Sequence, residues 1–224
     1  MRISFDFFSE PISFENYCIN TVCIENKTVF SNTIKALREG TAEENNIIFS
    51  KDFKPIKMKN NIDFIFDFYA LDFSPSFLKK IYEDMSLFCN DNLQENTVEL
   101  KRVIINFLDT VNASYDFDFS YNVDFNLCDF FKSQGFRPAL ENNILIENLL
   151  DYILLVQKYS AVRCFILLTP SLYFTDSELE LFLKEMRERN INICILENIM
   201  LREKTQYEKL TILDNDLCEI IENR

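Results

Sequence analysis

The chain has 224 residues, 48% of them apolar, which is enough to bury a core and excludes a disordered protein. Its formal charge of −13 should keep it away from nucleic acid unless its lysines are segregated from its acids. It contains no histidine, which removes the usual general base, most zinc and iron sites and every histidine-dependent triad.

The first residues, Met1 to Asp6, lack an apolar h-region and a small-residue cleavage site, so no signal peptide is expected. Ile3 to Phe8 and Ile12 to Phe14 read as strands on either side of Glu10-Pro11. Asn20 to Ile24 reads as a third strand, and a helix from about Lys27 to Arg38 stops at Gly40. In a parallel-sheet protein a phosphate loop would follow that strand, and Lys27-Thr28 resembles the end of a Gly-Lys-Thr motif. The glycines that let backbone N–H groups close on phosphates are missing, and Glu25 repels them.

Ile47 to Ser50 and Ile62 to Phe68 are further strand candidates. Between them Lys51, Lys54, Lys57 and Lys59 stand against a single acid, Asp52. Alternation around Ile56 and Met58 predicts Lys57 and Lys59 on one face of a strand. Such a stripe can track a phosphate backbone. It can equally be a solvated edge strand protected by lysines.

The middle is helical. Ser74-Pro75 starts a helix with proline at its first position, and Phe77, Leu78, Ile81, Met85 and Phe88 recur at helical spacing. A second helix is predicted from about Thr97 to Ala113 and a short one from Asp124 to Gln134, closed by Gly135. Lys79, Lys80 and Lys132, the last with Arg137, are weaker basic candidates on these helices. Asp116, Asp118 and Asp124 form an acidic group. Oxygen ligands without histidine suit calcium or magnesium, although the glycine and terminal glutamate of an EF-hand loop are absent. A hydrophilic edge with Asp124 capping a helix accounts for the same residues.

A long helix follows from about Asn142 to Tyr159. The apolar runs Arg163 to Leu168 and Ile191 to Leu196 then flank a helix opened by the capping box Thr175-Asp176-Ser177-Glu178 and ending near Arg189. This is a βαβ unit, with strands buried on both faces, and Leu210 to Leu213 adds another strand. Thr169-Pro170 follows the first run where a magnesium-holding acid would stand. With both halves of a nucleotide site missing, neither NTPase activity nor any other catalysis is expected. The odd number of cysteines, at 18, 23, 89, 128, 164, 194 and 218, matches no zinc pattern and predicts reduced thiols in the cytoplasm. No apolar stretch is long enough for a membrane span. The expected organisation is a discontinuous α/β head, residues 1–73 and 138–224, with a mostly parallel sheet, interrupted by a helical leg at 74–137.

Several segments together resemble the small ring-forming accessory protein of type II-A CRISPR systems, which takes part in spacer acquisition. They are Glu10-Pro11-Ile12, Val22-Cys23-Ile24-Glu25-Asn26 with Phe30, Phe131 to Phe136, and Phe165 to Leu168 through Leu172-Tyr173-Phe174-Thr175 and Glu178-Leu179 to Ile195-Leu196-Glu197. Order and spacing fit over nearly the whole chain, although no single motif is specific. The resemblance implies a P-loop-NTPase-like head without a working nucleotide site, a helical leg, and a homotetrameric ring whose basic hole holds double-stranded DNA ends. It implies structural calcium, with Asp116, Asp118 and Asp124 at the family's acidic positions ahead of its Lys-x-x-Gly helix end, and Glu147 at an acid of the next helix. A short insertion falls at Phe119 to Asn122. Lys51 matches a basic position after a strand. Partners implied are other adaptation proteins and the RNA-guided effector nuclease. A protein-binding scaffold of the same fold is the alternative. It would carry its lysines dispersed, whereas a DNA-binding ring would gather them.

Overall fold

The computed structural model describes residues 1–15, 19–140 and 143–222. The chain divides into two compact units, Met1–Leu71 with Leu140–Arg224, and Asp72–Ala139. In chain order the first unit contributes β1 (Arg2–Ser4), β2 (Ile12–Ser13), β3 (Ile19–Ile24), α1 (Lys27–Glu39), β4 (Ile48–Lys51), β5 (Lys54–Pro55) and β6 (Ile62–Ile65). The second unit holds α2 (Pro75–Asn92), α3 (Gln94–Asn112) and α4 (Leu127–Ser133). The first unit then resumes with α5 (Leu145–Tyr159), β7 (Cys164–Leu168), α6 (Asp176–Glu188), β8 (Ile193–Glu197), β9 (Lys209–Leu213) and β10 (Glu219–Glu222). Cys18 and the expected helix start at Asn142 lie outside the described residues.

The first unit is mixed α/β. Its larger sheet has the order β10-β9-β3-β8-β7-β6 and is parallel except for the β10–β9 pair. The apolar runs explain this. Every residue of β3 and β8 is buried, as strands covered on both faces require. One face, with Val22, Ile24, Ile166, Cys194 and Leu196, shares a core with Ile3 and Phe49 of a separate antiparallel sheet, β2-β1-β4-β5. The helices supply Leu149 and Ile153 from α5 and Leu179 and Leu183 from α6, all fully buried. Cys164 and Cys194 are free and act as small hydrophobes, burial pushing the Cys194 thiol up to about 12. The capping box forms as its sequence dictates, with the Thr175 hydroxyl accepting from the Glu178 N–H while the Glu178 carboxylate accepts from the Thr175 N–H.

Several expectations are corrected. The strand expected at Ile3 to Phe8 ends at Ser4. Phe5 and Phe8 are both buried, three residues apart, and a turn closed by Phe8 N–H to the Phe5 carbonyl puts them there, where an extended chain could not. The strand expected at Ile62 to Phe68 ends at Ile65, after which the Asp67 carboxylate turns the chain by accepting from the Tyr69 N–H. The segment carrying Lys57 and Lys59 is not a strand. After Pro55 one further bond, Ile56 N–H to the Phe49 carbonyl at 2.8 Å, holds the chain to β4, and it then turns through Asn60 at φ 75°. The alternation of Ile56 and Met58 reflects their packing against the core.

The second unit has its own logic. Ser74 caps α2, its hydroxyl accepting from the Phe77 N–H, with Pro75 at the first helical position. Gly135 follows α4 at φ 62°, a left-handed conformation that favours glycine at a helix end. The helix start expected at Asp124 is corrected to Leu127. Asn126 is the cap, its side chain accepting from the Cys128 N–H, so Asp124 is not a capping residue. Among the described residues no helix is long and apolar enough to cross a membrane.

Candidate nucleic-acid interface

The turn from β3 into α1 is where an anion would meet free N–H groups, but the chain fills that position itself. Asn26 Oδ1 accepts from the N–H groups of Thr28 and Val29 at 3.1 and 3.2 Å. Asn26 Nδ2 is tied in turn to the Asn215 carbonyl at 3.2 Å, and Asn198 Nδ2 donates to the Ile24 carbonyl at 2.7 Å. Lys27 and Thr28 are left exposed with no phosphate cradle.

An acid does end a buried strand in this region, although not after Leu168. Glu197 closes β8, the neighbour of β3, and is 2% exposed. Its carboxylate accepts from Ser171 N–H and Oγ at 3.2 and 2.6 Å. Burial raises its pKa, against the pull of those hydrogen bonds and of Arg202. Close in sequence, Arg202 and Glu208 form a fully buried bidentate ion pair at 2.5 and 2.7 Å. Glu208 also accepts from the Thr205 N–H at 2.8 Å and from the Thr21 hydroxyl. Burial opposes its charge, yet Arg202 and these donors hold its pKa below the usual carboxylate value. The run Ile193 to Leu196 followed directly by Glu197 was the signal for this acid in the sequence.

The four lysines of the 51–59 segment separate into two pairs. Lys51 and Lys54 are register partners on the β4–β5 hairpin, closed by a two-residue turn with Asp52 at φ 49° and Phe53 at φ 61°. Like charges directly opposite one another destabilise a hairpin, which makes the pair costly unless an anion answers it. Lys51 also lines a cleft of about 320 Å³ with Arg163, Gln157, Asn190 and Asn192, and no acid lines that cleft. Arg163 is a functional candidate that no sequence pattern marks. Lys57 and Lys59, by contrast, line a cavity of about 590 Å³ with Arg38, Glu39, Glu43 and Glu44, where acids offset the positive charge.

In the second unit Lys79, Lys80 and Lys132 are exposed. Lys79, Lys132 and Arg137 line one cavity of about 910 Å³ together with Glu83 and Asp129, and Lys79 lies 3.8 Å from Glu83. That site is mixed in charge, so it is a weaker anion candidate than the acid-free cleft of the first unit.

Asp116, Asp118 and Asp124 lie in the irregular segment between α3 and α4, all exposed. Two residues of this segment tie it back to α3, with Phe119 N–H donating to Asn112 Oδ1 at 2.7 Å and the Tyr121 hydroxyl donating to Asp109. Asp124 N–H donates to Asn122 Oδ1 at 2.9 Å. Glu147 is in the first turn of α5, in the other unit, and is exposed. Among the described residues no three histidine, cysteine or acidic side chains converge on a point that could hold a metal ion. The described residues of one chain therefore bring no such carboxylate group together for calcium.

A family model described as "CRISPR-associated protein (Cas_Csn2)" matches residues 40–217. No curated protein matches the chain. Among solved structures, Stu0660 of Streptococcus thermophilus shares the fold with a TM-score of 0.56 at 10% identity, covering 99% of this chain and 76% of that one.

Proposed function

The chain belongs to the Cas_Csn2 family of CRISPR-associated proteins, and from that premise we propose that it is a non-catalytic protein of CRISPR spacer acquisition that binds linear double-stranded DNA without regard to sequence. The observation that carries this reading is the opposed pair Lys51 and Lys54 beside an acid-free cleft that Lys51 shares with Arg163. In a chain of net charge −13 such a surface is a local exception, and a duplex supplies the anions that relieve it. The head is a P-loop-NTPase-like domain whose phosphate position is filled from within by Asn26, which favours binding over hydrolysis. Four copies form a ring in the cytoplasm, with acids outward and these cations around the hole. The other adaptation proteins and the effector nuclease are its protein partners.

The test is a titration of labelled linear duplex and of a covalently closed circle of the same sequence. A closed ring can be threaded only from an end, so the linear form should bind and the circle should not compete. Failure of the linear duplex to bind supports the alternative of a scaffold that contacts proteins alone.

A further inference from the structure

Phe53 is 82% exposed, the highest value for any large apolar side chain among the described residues. It also sits at φ 61°, a left-handed conformation that bulky residues avoid and that asparagine or glycine adopts freely in such a turn. A hydrophobic ring held in water on a strained backbone is poor design for stability alone, and strain of this kind collects at binding sites. The surroundings say what the ring could meet. Lys51 and Lys54 flank it on the two strands of the hairpin, and the Arg2 guanidinium lies over one ring face, 4.4 Å from the centroid. Arg2 is itself steadied by Glu15 at 3.0 Å. One face of the ring is thereby covered, and the rest of the side chain is exposed in a turn whose flanking strand positions are Lys51 and Lys54. An aromatic face set among positive charges is the arrangement that takes up a nucleobase while the cations hold its phosphates.

We propose that Phe53 is a stacking platform for an exposed nucleobase face. This rests on the DNA-binding reading and deepens it. Inside a duplex every base face is covered by its neighbours. A free face exists only on the terminal base pair or on an unpaired base. Phe53 therefore adds, to the threading that a closed ring already requires, a direct contact with the end itself that phosphates, alike along the whole duplex, cannot supply.

The experiment uses the full chain and three DNA probes carrying 2-aminopurine: on the terminal pair of a blunt duplex, in the middle of the same duplex, and in a single-stranded overhang. Binding is followed independently by anisotropy. The expected result is that saturating protein lowers the emission of the terminal or overhang probe and leaves the internal probe unchanged; comparing the two responsive arms identifies the source of the base. Phe53→Ala should abolish this change and weaken end binding by about tenfold, in line with the loss of one stacked base. Phe53→Gly should abolish it too while raising the melting temperature, because glycine relieves the turn, so a folding defect cannot mimic the result. Normal anisotropy with no emission change at the terminal and overhang probes overturns the stacking role and leaves the DNA reading intact. Absence of binding to all three probes overturns both.

Discussion

Lys51 and Lys54 face each other across the β4–β5 hairpin, and neither forms an ion pair among the described residues. A like-charged pair in this position works against stability. Lys54→Glu converts it into an attractive pair and should raise unfolding stability by about 0.2–1 kcal/mol. The same variant should bind DNA less well. Urea unfolding and a binding titration on one preparation check the two opposite signs together.

Asn26 caps α1 by accepting from the Thr28 and Val29 N–H groups, the donors an anion at this helix start would need. The protein should therefore neither bind nor hydrolyse ATP or GTP, and Lys27→Ala should change nothing in either assay. Asn26→Ala should cost about 1 kcal/mol, the usual value of a helix cap, measured by urea unfolding. Turnover that disappears in Lys27→Ala would contradict the non-catalytic reading.

Glu197 and Glu208 should give opposite pH dependences. Glu208 has a folded pKa below its usual value, so its contribution is present above the ordinary carboxylate range and is lost as pH falls through the depressed value. Glu197 has a raised folded pKa, so its contribution is present in acid and is lost as pH rises through that value. Glu197→Gln should thus be more stable than the wild type at neutral pH, with the difference closing in acid. Glu208→Ala leaves Arg202 buried without its partner and should cost about 3–5 kcal/mol at neutral pH. Denaturant midpoints measured across the carboxylate range decide both.

The parallel strands were legible because Phe165 to Leu168 and Ile193 to Leu196 are continuous apolar runs, a pattern that burial on both faces imposes. The family was legible from the order and spacing of several segments together, of which 131–136 and 165–197 lie within the matched residues 40–217. The basic segment was only half legible. Lys51 and Lys54 pair because a two-residue turn forms at Asp52-Phe53, which sequence preferences for such turns do not suggest. Lys57 and Lys59 misled because Ile56 and Met58 alternate for packing, without pairing in a sheet. Arg163 is brought beside Lys51 by tertiary packing alone.

The described residues of one chain supply no cage for calcium. Calcium should therefore leave the melting temperature of dilute single chains unchanged, and should act only where carboxylates of two copies meet. We expect light scattering to report a tetramer with calcium and smaller species in chelator. Asp116→Asn combined with Asp118→Asn should remove the difference, because converging carboxylates repel unless a hard cation neutralises them. An unchanged mass in chelator would leave these aspartates as a solvated loop.

The most direct measurement is the affinity for labelled linear duplex over a range of salt concentrations, for the wild type and for Lys51→Glu combined with Lys54→Glu and Arg163→Glu. The wild type should bind with a negative slope of log affinity against log salt of about 0.9 per phosphate neutralised. The triple variant should lose detectable binding while keeping its fold by circular dichroism. Undiminished binding by that variant, with an unchanged salt slope, would contradict the assignment of this face as the DNA surface.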